Sequence, residues 1–180
     1  VDDGVLQASA KRFAWLLVNL GTAVLASMVI GVFDATIEQM VALAVLMPIV
    51  ASMGGNAGTQ TLTITVRALA TKELTAYNAL RTFRKELAVG FLNGCLFAVL
   101  AGVLTFFWFN DLENANVLGG VIAGAMVINM VVAGFSGVAL PVLLDRLKID
   151  PAIASGVFVT TVTDVVGFLS FLGLASVTLL

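Results

Sequence analysis

The chain has 180 residues, of which 60% are apolar and only 11% charged, with a formal net charge of −2. A soluble domain carries about 25% charged residues, so the composition excludes an ordinary soluble fold and points to an all-α polytopic membrane protein. With no His and a single Cys95, His-based metal or acid–base chemistry, a Cys/His zinc site and an intrachain disulfide are excluded as well.

Residues 1–12 are comparatively polar and end in Lys11 and Arg12. They are expected to lie along the inner membrane surface or to lead in from a preceding domain. The chain opens on Val1 rather than Met, as expected of a piece of a longer protein. Charge-free stretches then follow at 13–33, 41–66, 87–109 and 117–144. A fifth, 151–180, spans only if Asp164 is tolerated within it. About 20 apolar residues suffice to cross the hydrocarbon core, so five transmembrane helices are predicted. The 67–86 stretch, with Arg67, Lys72, Arg81, Arg84 and Lys85, reads as the one sizeable loop, facing anionic lipid. Arg146 and Lys148 separate the fourth and fifth spans, so all 9 basic residues fall on one side of this layout. The opposite loops hold only Asp34 and Glu38, then Asp111 and Glu113. The positive-inside rule puts the N-terminus inside and the C-terminus outside.

The second span interrupts its apolar run with Gly54, Gly55, Asn56, Gly58 and Gln60. Pro48 and the Gly54-Gly55 pair are the expected places for the helix to bend or open. Irregular backbone at membrane depth is tolerated where it lines a cavity. Close helix packing is the other use of such glycines. Pro48 to Ser52 also echoes Pro151 to Ser155, as an inverted repeat or by chance in Ala-rich sequence.

In the fifth span Asp164 is the single ionisable residue that the layout forces inside the membrane. A carboxylate there costs at least about 2.5–3.5 kcal/mol, and no Lys, Arg or His lies within a span to offset it. Gly156, Thr160, Asp164 and Gly167 share one helical face, flanked by Thr161 and Thr163. Such a stripe suits a wet cation path. A protonated Asp164 bonded to a neighbouring helix is the alternative. A homodimer with its two-fold axis along the path would bring two Asp164 side chains together, where a divalent cation relieves their repulsion. Gly90-x-x-x-Gly94 and Gly120-x-x-x-Gly124 suit helix packing between or within subunits. The available ligands are oxygens, which favour Mg²⁺ or Ca²⁺ over softer ions. So few carboxylates favour Mg²⁺, which keeps its waters.

Pro48, Gly54-Gly55-Asn56, Gly58 and Gln60, followed by Arg67-Ala68-Leu69-Ala70, together with Asp150-Pro151-Ala152 and Thr163-Asp164-Val165-Val166-Gly167, resemble the signature of the MgtE family of magnesium channels and transporters. The resemblance covers essentially the whole chain. It implies a homodimeric pore domain over 1–180, with spans 2 and 5 of both subunits around one ion path. Asp164 is then the ligand for hydrated Mg²⁺. Asp150 falls at the cytoplasmic mouth, where a second Mg²⁺ site linked to gating is implied, although capping of the last helix accounts for an Asp before Pro151 by itself. The cytosolic sensor domains of that family are not contained in these residues, so a pore less inhibited by cytosolic Mg²⁺ is expected.

The leading expectation is a Mg²⁺-selective channel, driven by the membrane potential, with Gly54, Gly55, Asn56, Gln60, Gly156, Thr160, Thr163 and Gly167 lining the path. A secondary transporter exchanging a divalent cation for H⁺ or Na⁺ is the alternative, and a membrane anchor without transport is a third class. Mn²⁺, Ca²⁺ or Co²⁺ are further candidate ions. The expected surroundings are membrane lipid in a bacterial inner (plasma) membrane. Neither an enzymatic activity nor a nucleic-acid partner is expected.

Overall fold

Lipid offers the backbone no hydrogen-bond partners, so long apolar segments close their own i→i−4 bonds and run as helices. The computed structural model describes residues 4–75 and 77–179. Its elements are α1 (Val5–Gly31), a short α2 (Asp34–Gln39), α3 (Ala42–Ala70), α4 (Ala79–Trp108), α5 (Ala115–Arg146) and α6 (Pro151–Thr178). Five of these helices are long and apolar enough to cross a membrane, as the sequence predicts. Residues 1–3 of the expected N-terminal segment and residue 180 of the last span lie outside the described residues.

Three boundaries differ from expectation. Helix α1 begins at Val5 and runs without a break into the first span, so the described part of 1–12 is continuous with that helix. Helix α3 extends to Ala70 and α4 starts at Ala79. The supposed 67–86 loop thus shrinks to 71–78, with Arg81, Arg84 and Lys85 on the first turns of α4. The turn is tightened by Asn78, whose Nδ2 donates to Glu73 O at 2.7 Å and whose Oδ1 accepts from Thr75 N at 2.8 Å. The third difference is that α3 passes through Pro48, Gly54 and Gly55 as unbroken helix. The helix does not open there: Gly54 packs closely on Asn129 of α5, while Gly55 leaves space beside α6.

Helix α5 is the centre of the bundle and packs against α3, α4 and α6, while α1 rests chiefly on α6. Against α4 the fit is backbone on backbone. A Cβ on Gly90 would stand 2.6 Å from Met130 O, and one on Gly134 would stand 2.7 Å from Glu86 O. Gly102 and Gly119 abut similarly, at 3.0–3.1 Å from each other's carbonyl oxygen. Without a hydrophobic driving force between helices in lipid, such close approach gives van der Waals attraction its full value. Gly90 and Gly94 are therefore spent within the subunit. Gly124 meets Leu174 of α6, whereas Gly120 faces open space.

One end of the bundle is filled by Leu43, Leu46 and Val50 of α3, Leu118 and Ile122 of α5, and Phe171 and Leu172 of α6, all buried. Toward the other end polar groups enter the core, among them Thr61, Thr65, Glu86 and Ser136. Most described side chains of α1 and the outer face of α4, such as Phe13, Leu20, Leu96 and Val99, stay exposed, as apolar surface against lipid does.

Candidate cation site

Helices α3 and α6 diverge enough on one side to leave a groove of about 280 Å³ between them. Ala51, Ser52, Gly55, Asn56 and Thr59 form the α3 wall, and Thr160 and Asp164 form the α6 wall. The positions on α3 fall at helical i, i+3, i+4 and i+7 spacing, so one face supplies them all. Ser52 and Asn56 are exposed, so the groove is a trough open along its length.

The hydrogen bonds of the wall matter for what it can hold. Thr59 Oγ1 donates back to Gly55 O at 2.9 Å and Asn56 O at 3.0 Å. Thr160 Oγ1 donates to Gly156 O at 3.1 Å and Val157 O at 3.0 Å. Asn56 Nδ2 reaches Ser52 Oγ at 3.4 Å. The two threonine donors are thus occupied within their own helices, and the hydroxyl lone pairs and the Asn56 Oδ1 remain as acceptors. An ionised Asp164 only accepts, and its carboxylate takes no hydrogen bond among the described residues. The groove wall is acceptor-rich, the polarity that outward-pointing water protons of a hydrated cation require. Among the described residues no three acidic or Cys side chains gather closely enough to cage a bare metal ion.

Of the residues expected to line a path, Gly55, Asn56, Thr160 and Asp164 come together here. Gly156 continues the Thr160–Asp164 face with open space where a Cβ would be. Gln60 is exposed but lies off the groove wall. The remaining three point elsewhere. Thr163 is fully buried, with its hydroxyl bonded to Val159 O at 3.1 Å and Thr160 O at 3.0 Å. Gly54 and Gly167 are buried against Asn129 of α5, whose Nδ2 a Cβ would meet at 2.1 and 2.7 Å.

Asn129 was not singled out in the sequence. It is fully buried, and its Nδ2 donates to Val50 O at 2.9 Å. Its Oδ1 has no hydrogen-bond partner among the described residues. One side chain on α5 thereby fixes α3 and α6 immediately behind the groove. Ser52 and Thr59 were also missed, although their spacing from Gly55 and Asn56 places them on the same face.

At the start of α6, Asp150 is the N-cap. Its Oδ1 accepts from Ala152 N at 2.9 Å, and Pro151 takes the first helical position, where a missing N–H costs nothing. Asp150 lies 14 residues before Asp164, about 21 Å along the helix, and is exposed.

A family model described as MgtE, divalent cation transporter, matches residues 47–174, which include every residue of the groove. The chain belongs to the MgtE family. Among curated MgtE proteins it is similar to the magnesium transporter MgtE of Bacillus subtilis, 32% identical over 94% of this chain and 37% of the relative. It is 32% identical to that of Enterococcus faecalis over 98% of this chain and 38% of the relative. The MgtE of Thermus thermophilus is 35% identical over 91% and 35% respectively. The chain therefore spans little more than a third of the length of these MgtE relatives. Family membership and five long apolar helices together make it an integral membrane protein.

Proposed function

We propose that this chain is the pore-forming part of a Mg²⁺ channel, carrying the hydrated ion past Asp164 along the α3–α6 groove. The observation that carries this reading is the groove itself: a single carboxylate in a trough otherwise walled by small residues and neutral acceptors. Its similarity to proteins named magnesium transporters supports Mg²⁺ as the cargo. Six waters around Mg²⁺ need roughly 180 Å³ at ~30 Å³ each, which the groove's 280 Å³ accommodates. Holding the ion through its waters avoids the cost of dehydrating it.

A trough needs a second wall. In this reading a second copy closes it, with the two-fold axis along the path and the partner's groove opposite. The paired carboxylates repel until a divalent ion sits between them. With the basic helix ends in the cytoplasm, two charges moving inward at 100 mV gain about 4.6 kcal/mol, so no ATP is needed. Asp150, exposed at the same end, is a candidate for a second, gating-linked Mg²⁺ contact beyond its capping role.

Flux into liposomes and single-channel recording test this. Wild type should pass Mg²⁺ under a voltage alone, with Ca²⁺, Mn²⁺ and Co²⁺ compared in turn, and Asp164→Asn should lose most of that flux. Unchanged Mg²⁺ flux in the variant would sink the role of Asp164. A strict need for an opposing H⁺ or Na⁺ gradient would replace the channel with an exchanger that uses Asp164 as its relay.

A further inference from the structure

A second recess shares no wall residue with the groove. It lies between the first turns of α4 and the last turns of α5, has a volume of about 590 Å³, and is walled by Ala79, Leu80, Phe83, Val138 and Val142, with Arg146 at one end. Phe83 leaves room by tipping edge-on against Phe135, with ring centroids 5.0 Å apart. Leu80 and Leu143, on its two lips, are 61% and 51% exposed.

We infer that this recess is a binding site for an anionic phospholipid, with one acyl chain in the apolar cleft and the phosphate against Arg146. The argument rests on the polarity gradient along the cleft. Val138 and Arg146 are eight residues apart on one helix, about 12 Å. The cleft thus runs from wholly apolar walls to a single guanidinium at its rim, the same order as acyl chain and phosphate in a phospholipid. Helices α4 and α5 have 30 and 32 residues, or about 45 Å and 48 Å of helix. They therefore cover headgroups as well as the hydrocarbon core, which places their basic ends at phosphate level.

Charge complementarity selects the headgroup. No carboxylate lines the cleft. Asp145 lines the adjoining cavity, which shares Ala79, Val142 and Arg146 with the cleft, so the nearest acid stands outside the cleft wall itself. Arg81, Arg84 and Lys85 lie in the first turns of α4, the helix that forms one wall, and that helix has no acid in its first turn. Arginine suits the phosphate, because its planar fork matches two oxygens at once. A polypeptide segment would need partners for its backbone polar groups, which the cleft's seven apolar wall residues do not provide.

Native mass spectrometry of the purified full chain, exchanged into an equal mixture of phosphatidylglycerol and phosphatidylcholine, tests the site. Wild type should retain phosphatidylglycerol in preference. Arg146→Gln, at an exposed position, should weaken that preference about fivefold, the worth of one interfacial basic residue. Ala139→Trp, which fills the cleft, should abolish retention of either lipid, with helical content by circular dichroism as its folding control. Equal retention of the two lipids by wild type, or an undiminished preference in Arg146→Gln, overturns the proposal. So does a disulfide between two copies through Ala139→Cys, which would assign the cleft to a subunit interface.

Discussion

Asp164 on α6 and Glu86 on α4 are both carboxylates set in long apolar helices, but Glu86 is only 6% exposed while Asp164 looks onto an open groove. Glu86 accepts a hydrogen bond from Thr61 Oγ1 at 3.2 Å. That bond ties α3 to α4, helices that otherwise pack on α5 rather than on each other. Asp164 has no such protein donor among the described residues. Under the proposed function, the contrast separates two uses of an acid in a membrane protein. A structural carboxylate is enclosed and given a donor, whereas one meant for a mobile cation must keep its oxygens free and wetted. Depth alone does not distinguish them; the open side does.

The sharpest way to break this comparison is to neutralise each acid without changing its shape. Asp164→Asn should lower Mg²⁺ flux at least about tenfold, while Glu86→Gln should leave it within about twofold, as read in liposomes at matched protein content. Equal losses would erase the distinction. A second test concerns the scaffold on which Glu86 sits. Gly134→Ala brings a Cβ to 2.7 Å of Glu86 O, and since backbone cannot swing aside this should cost about 1–3 kcal/mol. Thermal unfolding in detergent should show it, and no matching loss is expected from Gly156→Ala, where a Cβ meets open space.

A smaller effect should follow from removing the donor. Thr61→Val leaves Glu86 buried without its hydrogen bond and should cost about 1–2 kcal/mol. Much of that should return in the Thr61→Val, Glu86→Leu double variant, and a double-mutant cycle measures the coupling. Smallest is the cap. Asp150→Ala should cost about 1 kcal/mol by freeing the first N–H groups of α6, and Asp150→Asn only a few tenths. If Asp150→Asn keeps its stability but changes the response of flux to cytosolic Mg²⁺, the charge has a role beyond capping. If both variants behave as wild type in flux, capping is its whole contribution.

The number of spans was legible in the sequence because twenty-residue apolar runs have no other solution in lipid. Their ends were not, because basic residues do not stop a helix. Arg81, Arg84 and Lys85 read as loop, yet they sit on α4, and Glu86 beside them is carried into the core. Within the candidate site, Thr160 and Asp164 were legible from helical spacing, and Gly55 and Asn56 as small and polar residues that interrupt an apolar span. Gly54, Thr163 and Gly167 were not distinguishable from them, since each is one small rotation from the groove and only the position of α5 decides which way they face. Asn129 was invisible for the same reason. A lone Asn in an apolar helix carries no signal until its two glycine neighbours on other helices are known.

The back-bonded threonines of the groove carry one further consequence. Because Thr59 and Thr160 direct their protons into their own helices, their oxygens meet water as acceptors, and waters on them turn their protons toward the protein. An anion would need the opposite alignment, so it meets a surface whose solvent is already turned against it. If the groove carries ions as proposed, discrimination against chloride needs no repelling charge beyond Asp164. It would rest on the orientation of water dipoles, and should persist even where salt screens the field of the carboxylate.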